Sequence, residues 1–367
     1  MSGAASGTHV SRVAIVLFNL GGPDRKEAIR PFRVNLFSDP AIIRAPGFIR
    51  FWLARKIASA AQKKAEEGYA LMGDRSPLLD LTRKQADALE AGLPGAKCFV
   101  AMRYWHPFAR EVAREVKAWR PDRILLLPLY PQFSTTTTGS SLADWHEAAA
   151  RAGLIAPTTT LCCWPDDEAY AAAIAGLVKV TLSQARADHP GAKIRILFSA
   201  HGLPESIVAA GDPYQDQVER SVAAVMAALR SELAGLEPGG AIDHVVCFQS
   251  RATPQRWIEP STEQALERAA ADRAVAVVVP IAFVSEHIET LVELDVDYRK
   301  VADALNLPGY YRVPAPNDDA MFIAALAGLA RRALARGDGL CSHRGARACD
   351  ARHGDCPWSR YRAVIAV

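Results

Sequence analysis

Short apolar runs recur along this chain, most of them rich in β-branched residues and stopped by Gly, Pro or a polar residue. Residues 13–20 (VAIVLFNL) form the first, and Gly21-Gly22-Pro23 ends it. Similar runs lie at 98–104, 123–130, near 158–163, at 194–200 and 244–250, from 274 onward and near 310–313. Runs without polar alternation predict strands buried on both faces. Between them the spacing predicts helices: several up to about residue 66, then 79–91, 108–119, 166–187, 216–234 and 318–335. Regular strand–helix alternation predicts an α/β fold with parallel sheets and right-handed crossovers. The second half repeats the plan of the first. The expectation is two doubly wound lobes, 1–155 and 156–330, with a cleft between them and an extension over 331–367.

One stretch breaks the pattern in an informative way. Residues 274–284 read as a buried strand, and Ser285 then resembles an N-cap followed by acids. Glu286, Glu289, Glu293 and Asp297 follow at spacings of three, four and four. On a helix these carboxylates share one stripe and repel each other. Two readings stand: a solvated acidic face, or a conduit for cations or protons. The second suits its place, because open α/β sheets hold their ligands just past the strand ends.

Composition narrows the class. A chain of 367 residues suits two domains or two halves of one unit. Half its residues are hydrophobic and 23% are charged, as in globular proteins. Net charge is +3, with no dense basic patch interleaved with aromatics, so a nucleic-acid partner is not expected. The N-terminus, MSGAASGTHVSR, lacks a basic segment followed by an apolar one, which argues against a signal peptide. No run approaches the ~18 apolar residues of a spanning helix. The cytoplasm is the default compartment. Residues 47–53 (GFIRFWL), with Arg50 inside and Arg55 beyond, read either as a packed helix or as a peripheral membrane contact.

Candidate chemistry gathers after the strands. His201 follows a strand directly and sits between Ala200 and Gly202. It reads as a capping histidine, or as a base or metal ligand tuned by burial. No G-x-S-x-G surrounds it, so Ser199 is not a nucleophile at an elbow. No G-x-G-x-x-G follows the first strand, so dinucleotide binding is not expected. Glu286, His287 and Glu289 could hold a divalent ion or relay protons. Arg103, Tyr104, Tyr130, Phe133 and Trp257 also follow strands. Arg suits a carboxylate, and the aromatics suit either a flat apolar pocket or ordinary core.

There are seven cysteines. Cys98 and Cys247 fall in strands and read as inert core thiols. Cys162 and Cys163 are adjacent. Cys341, Cys349 and Cys356 crowd the end, with intervals too long for a zinc ribbon. Three such thiolates plus a fourth would complete an iron–sulfur site; the alternative is a tail of free thiols.

Several motifs then fall in a characteristic order: Asn19-Leu20-Gly21-Gly22-Pro23, the segments 35–40 and 73–78, Met102-Arg103-Tyr104, Tyr130-Pro131-Gln132, 137–141, Phe198-Ser199-Ala200-His201-Gly202-Leu203-Pro204, 248–251 and 280–294. Over more than 300 residues this order resembles the ferrochelatase family, which inserts ferrous iron into a porphyrin. The resemblance implies two Rossmann-like lobes in a chelatase-like arrangement, with Fe2+ and protoporphyrin IX as substrates at the last step of haem synthesis. It implies that His201 and Glu289 face each other across the macrocycle and bind iron or take pyrrole protons. Glu286, His287, Glu293 and Asp297 match the family's acidic path. Leu20, Arg103, Tyr104, Tyr130, Ser199 and Trp257 match its porphyrin pocket.

The chemistry agrees with that reading. Insertion removes two pyrrole protons, which calls for a base and an exit path. A planar ring must also be ruffled, which a rigid cleft can do with binding energy from the ring's periphery. Some members carry a [2Fe–2S] cluster held by three C-terminal cysteines and one in the body. The tail here is spaced more widely than the animal C-x2-C-x4-C, and Thr135 stands where the animal mid-chain ligand falls. A cluster here would use Cys341, Cys349 and Cys356 with Cys162 or Cys163. Segment 19–23 and the tail favour the protoporphyrin branch. The alternatives are a coproporphyrin III ferrochelatase and a non-catalytic porphyrin or haem carrier. Monomer and homodimer both remain open.

Overall fold

The architecture follows from strands that bury both faces. In the computed structural model, which describes residues 11–233, 242–251 and 255–359, Val275–Pro280 is buried at every position and Val13–Asn19 at all but the first. Each Val, Leu or Ile so buried contributes roughly 1.5–3 kcal/mol of transfer free energy. Residues 1–10, most of the segment read for a leader, and 360–367 of the extension lie outside the described residues. So does Ala234, expected to end a helix.

In chain order the elements are β1 (Val13–Asn19), α1 (Ile29–Phe37), α2 (Gly47–Ala60), α3 (Gln62–Ala70), α4 (Leu78–Ala91), β2 (Ala96–Met102), α5 (Ala109–Trp119) and β3 (Arg123–Pro128). Then come α6 (Ser140–Ala152), β4 (Thr158–Leu161), α7 (Glu168–Asp188), β5 (Ile194–His201), α8 (Glu205–Ala209), α9 (Tyr214–Leu233) and β6 (Asp243–Gln249). The remainder is α10 (Thr262–Ala271), β7 (Val275–Pro280), a π-helix (Glu289–Asp297), α11 (Tyr298–Ala304), β8 (Tyr310–Arg312), α12 (Ala320–Ala335) and β9 (Gly339–Cys341).

All strand pairs are parallel, in two sheets ordered β2-β1-β3-β4-β9 and β6-β5-β7-β8. The chain therefore reverses direction across each sheet once, between β1 and β3 in the first and between β5 and β7 in the second. A crevice opens past the strand ends at such a reversal. Both crevices face one cleft.

Two boundaries differ from the sequence expectation. β4 pairs with β3, so the first sheet continues past residue 155. The extension supplies β9, which pairs with β4 at the far edge of that same sheet. Thus the first sheet draws strands from both ends of the chain. Helices α7 and α12 pack together, and one apolar core runs through both lobes, from Ile15 and Leu125 to Phe198 and Val277.

Candidate active site

The cleft is a cavity of about 330 Å³, within the ~300–1,000 Å³ usual for ligand sites. Part of its lining is apolar: Leu36 and Phe37 of α1, Ile42 and Ile43 after it, and Ile57 of α2. Leu20, after β1, and Tyr130, after β3, line the first-lobe wall. His201, at the end of β5, and Glu289, beyond β7, lie on the second-lobe wall with Trp257 and Phe283. Gly202 keeps that wall thin: an added Cβ would lie 2.9 Å from Gln249 O and 3.3 Å from the Trp257 ring.

His201 and Glu289 are in direct contact, with Nδ1 to Oε2 at 3.2 Å. The resemblance placed them on opposite faces of a ring. Instead they stand side by side, because β5 and β7 are neighbours in one sheet and deliver both groups to the same wall. His287 Nε2 lies 3.6 Å from the same carboxylate oxygen. Burial opposes charge on His201, but the Glu289 carboxylate prevails and raises the imidazole pKa above its ordinary value. Burial likewise opposes charge on Glu289, and the imidazoles of His201 and His287 hold it well below the usual carboxylate range. The contact thus favours a proton on His201 rather than on Glu289.

Glu293 lies behind this pair. Its Oε2 accepts from Ser250 Oγ at 2.5 Å and Gln249 Nε2 at 3.2 Å, and its Oε1 from Tyr298 OH at 3.2 Å. Gln249 Nε2 also donates to Glu289 O at 3.0 Å. Ser250 takes a left-handed backbone (φ 64°) to present its hydroxyl, the kind of local strain that clusters at functional sites. Burial first, and the Glu289 charge second, raise the Glu293 pKa. A carboxylate that favours the proton thus adjoins one that rejects it.

The acidic stripe is real only in part. The helix begins at Ile288, not Ser285, and winds as a π-helix with i→i+5 bonding. Glu289, Glu293 and Asp297 lie on it, with Asp297 half-exposed near Lys300. Glu286 precedes it and turns away: its Oε1 takes Arg312 Nη1 at 2.8 Å and Ala315 N at 2.9 Å. The nearby cation spends that charge, so Glu286 leaves the row.

Three expected pocket residues lie elsewhere. Arg103 pairs with Asp39 at 2.9 Å, and Tyr104 OH donates to the same oxygen at 2.8 Å. Asp39 is 4% exposed, so it demands such partners, and it draws both residues to a separate polar cavity of about 610 Å³. Ser199 is fully buried and donates to Gln249 Oε1 at 2.8 Å. Asp39 and Gln249 are the residues sequence reasoning passed over. Both lie in quoted motif segments, but nothing in their spacing marks them as buried partners.

The tail brings thiols together. Cys162 and Cys163 Sγ atoms are 3.6 Å apart, Cys163 interacts with Cys349, and Cys349 with Cys356. Cys341 is buried beside them, its carbonyl accepting from Cys162 N at 2.8 Å. The interaction with Cys163, with burial added, pushes the Cys349 thiol to about 12. Thiols raised in this way keep their protons until a metal displaces them. Contacts run along a row, however, and among the described residues no group of three such donors is arranged to hold a metal ion.

The fold is that of the two-lobed chelatases. Among solved structures it is similar to SirB from Bacillus subtilis with Fe3+, with a TM-score of 0.50 at 12% identity over 89% of this chain and 96% of that one. The chain belongs to the ferrochelatase family, whose model matches residues 12–334. It is 47% identical to the ferrochelatase of Caulobacter vibrioides over 94% of this chain and 97% of that one. The Phenylobacterium zucineum ferrochelatase is 48% identical with the same coverage, and a Wolbachia ferrochelatase 45% identical over 86% and 98%. Membership makes ferrous iron the metal substrate and a porphyrin its acceptor. Among the described residues no helix is long and apolar enough to cross a membrane.

Proposed function

We propose that this protein inserts Fe2+ into protoporphyrin IX, releasing two protons, as the lyase that ends haem biosynthesis. The observation that supports this reading is the make-up of the cleft: an apolar group from α1, α2 and the loop between them, with one imidazole–carboxylate pair on the second wall. That apolar group suits the vinyl edge of protoporphyrin. Coproporphyrin carries two further carboxylates there, and their burial against Leu36, Ile43 and Ile57 would be costly.

The resting charges suggest an order. Glu289 is a weak base, since its pKa lies low; its charge attracts the incoming ion and favours a proton on the neighbouring imidazole. His201 becomes a base only after releasing that proton. Glu293, whose pKa is raised, is the next acceptor, and Asp297 at the exposed end of the helix passes protons to water. His201 and Glu289 together would meet the metal from one face of the ring. Their direct contact must loosen as the metal passes.

The exposed aromatics of α2 support docking at a membrane surface from the cytoplasm. Phe48 is 74% and Trp52 70% exposed, while Ala54 and Ala58 bury the opposite edge. A [2Fe–2S] cluster held by Cys341, Cys349, Cys356 and Cys162 or Cys163 is part of the proposal. It would need the row of thiols to close around it, and it serves here as a brace for the tail, outside the reaction.

Anaerobic insertion of ferrous iron, run with both porphyrins, tests the central claim. Faster turnover of protoporphyrin is expected. A preference for coproporphyrin overturns the branch, and no insertion into either overturns the activity. Anaerobically purified protein should show visible cluster absorption that Cys349→Ser removes; colourless, iron-free protein overturns the cluster.

A further inference from the structure

A fully buried glutamine, unused by the reaction, joins the tail to the cleft. Gln217 lies near the start of α9 with no exposed surface. Its amide orientation follows from its partners. A backbone N–H can only donate, so the carbonyl Oε1 must face Phe133 N, at 2.8 Å. That leaves Nε2 to donate to Cys349 Sγ, 3.0 Å away. Phe133 sits between Gln132 and Ser134, which line the cleft. One amide therefore has the cleft floor on one side and a tail sulfur on the other.

The surrounding bonds tie together the same two parts. Gln132 Nε2 donates to Ser221 Oγ, one turn along α9, at 2.8 Å. Asp212, just before α9, accepts from Ser134 Oγ at 3.0 Å and Thr135 N at 2.7 Å. The tail presses against the residue before it. Gly211 has φ +105°, an added Cβ would lie 2.8 Å from Gly354 N, and its carbonyl accepts from Asp355 N at 3.2 Å. Arg220, also on α9, holds the tail through Ala348 O at 2.8 Å.

We propose that Gln217 is a positioning residue through which the docked tail holds residues 132–134 in their ring-binding shape. Without the Cys349 sulfur, the Gln217 NH2 is buried with no acceptor on that side. Rotation of the amide relieves this and releases Phe133 N–H, so the floor loosens. The inference rests on the tetrapyrrole reading only for what the cleft holds.

Three variants of the full chain test it. Gln217→Leu removes both bonds. Gln217→Glu keeps an acceptor for Phe133 but cannot donate to the sulfur. Cys349→Ala removes the sulfur and any cluster it helps to hold; Cys356→Ala, which spares the Gln217 bond, controls for the cluster and should leave porphyrin affinity at the wild-type value. The Kd for protoporphyrin, read from fluorescence without iron, should rise about tenfold in Gln217→Leu and severalfold in the other two. The KM for porphyrin should follow, with kcat little changed. The Gln217→Glu, Cys349→Ala double variant should be no weaker than the worse single one, because both cut the same link. An additive double variant, or wild-type porphyrin affinity in all three, overturns the inference. Amide exchange over residues 131–137, without any porphyrin, separates it from the functional reading. Faster exchange in Cys349→Ala is expected even if the ring is not the substrate, and unchanged exchange overturns the coupling whatever the substrate is.

Discussion

Where β1 and β3 end, the cleft meets Leu20 and Tyr130; where β5 and β7 end, it meets His201 and Glu289. The two places are topological twins, each at the reversal of a parallel sheet. Their materials differ. On the first wall the Tyr130 hydroxyl is buried without a hydrogen-bond partner among the described residues, and Leu20 offers only surface. On the second, His201, His287, Glu289, Gln249, Ser250 and Glu293 form a connected polar set. The fold supplies two equal crevices, and side chains divide the labour: one wall grips a ring, the other handles charge.

Substitutions can break that division. The largest effect is expected for His201→Ala, which should lower kcat by roughly 10²–10⁴-fold, the range for losing a positioned acid–base group, with porphyrin binding retained. Near-normal iron insertion by this variant would remove the second wall from the chemistry. Glu289→Gln should come next. It removes the larger of the two carboxylate charges that raise the His201 pKa, leaving burial opposed only by Glu293. In the wild type, the limb of kcat/KM that needs neutral imidazole should rise as pH climbs through the raised value. In Glu289→Gln that limb should move to lower pH, and imidazole resonances should titrate lower in step. An unmoved titration would show that the two groups are not coupled. The smallest effect sharpens the contrast from the gripping side. Trp257→Leu should raise the porphyrin KM severalfold while kcat stays near wild type. A fall in kcat alone would assign the ring a part in the reaction.

Much of this was legible in the residues. Apart from β9, where no strand was expected, the strands announced themselves because burial on both faces leaves continuous apolar runs, and each run pointed to the polar residues just beyond it. His201 and Glu289 were found that way. The π-helix was not, since a change from i→i+4 to i→i+5 bonding alters no residue type. The acidic row was read as starting three residues early, at Glu286, whose partner Arg312 lies 26 residues on. Arg103 and Tyr104 were misplaced for a similar reason. Their orientation is set by Asp39, more than 60 residues away, whose burial no local pattern reveals. Gln217 and Ser221 sit in a helix whose sequence shows no sign that polar side chains face inward.

The three-residue strand β9 carries one more consequence. With it in place, β4 has neighbours on both sides and the first sheet ends in a very short rim. Strip away the extension and the polar backbone groups of β4 would lie bare, a template for a strand from another molecule. The segment that carries the cysteines thus also covers the edge of β4.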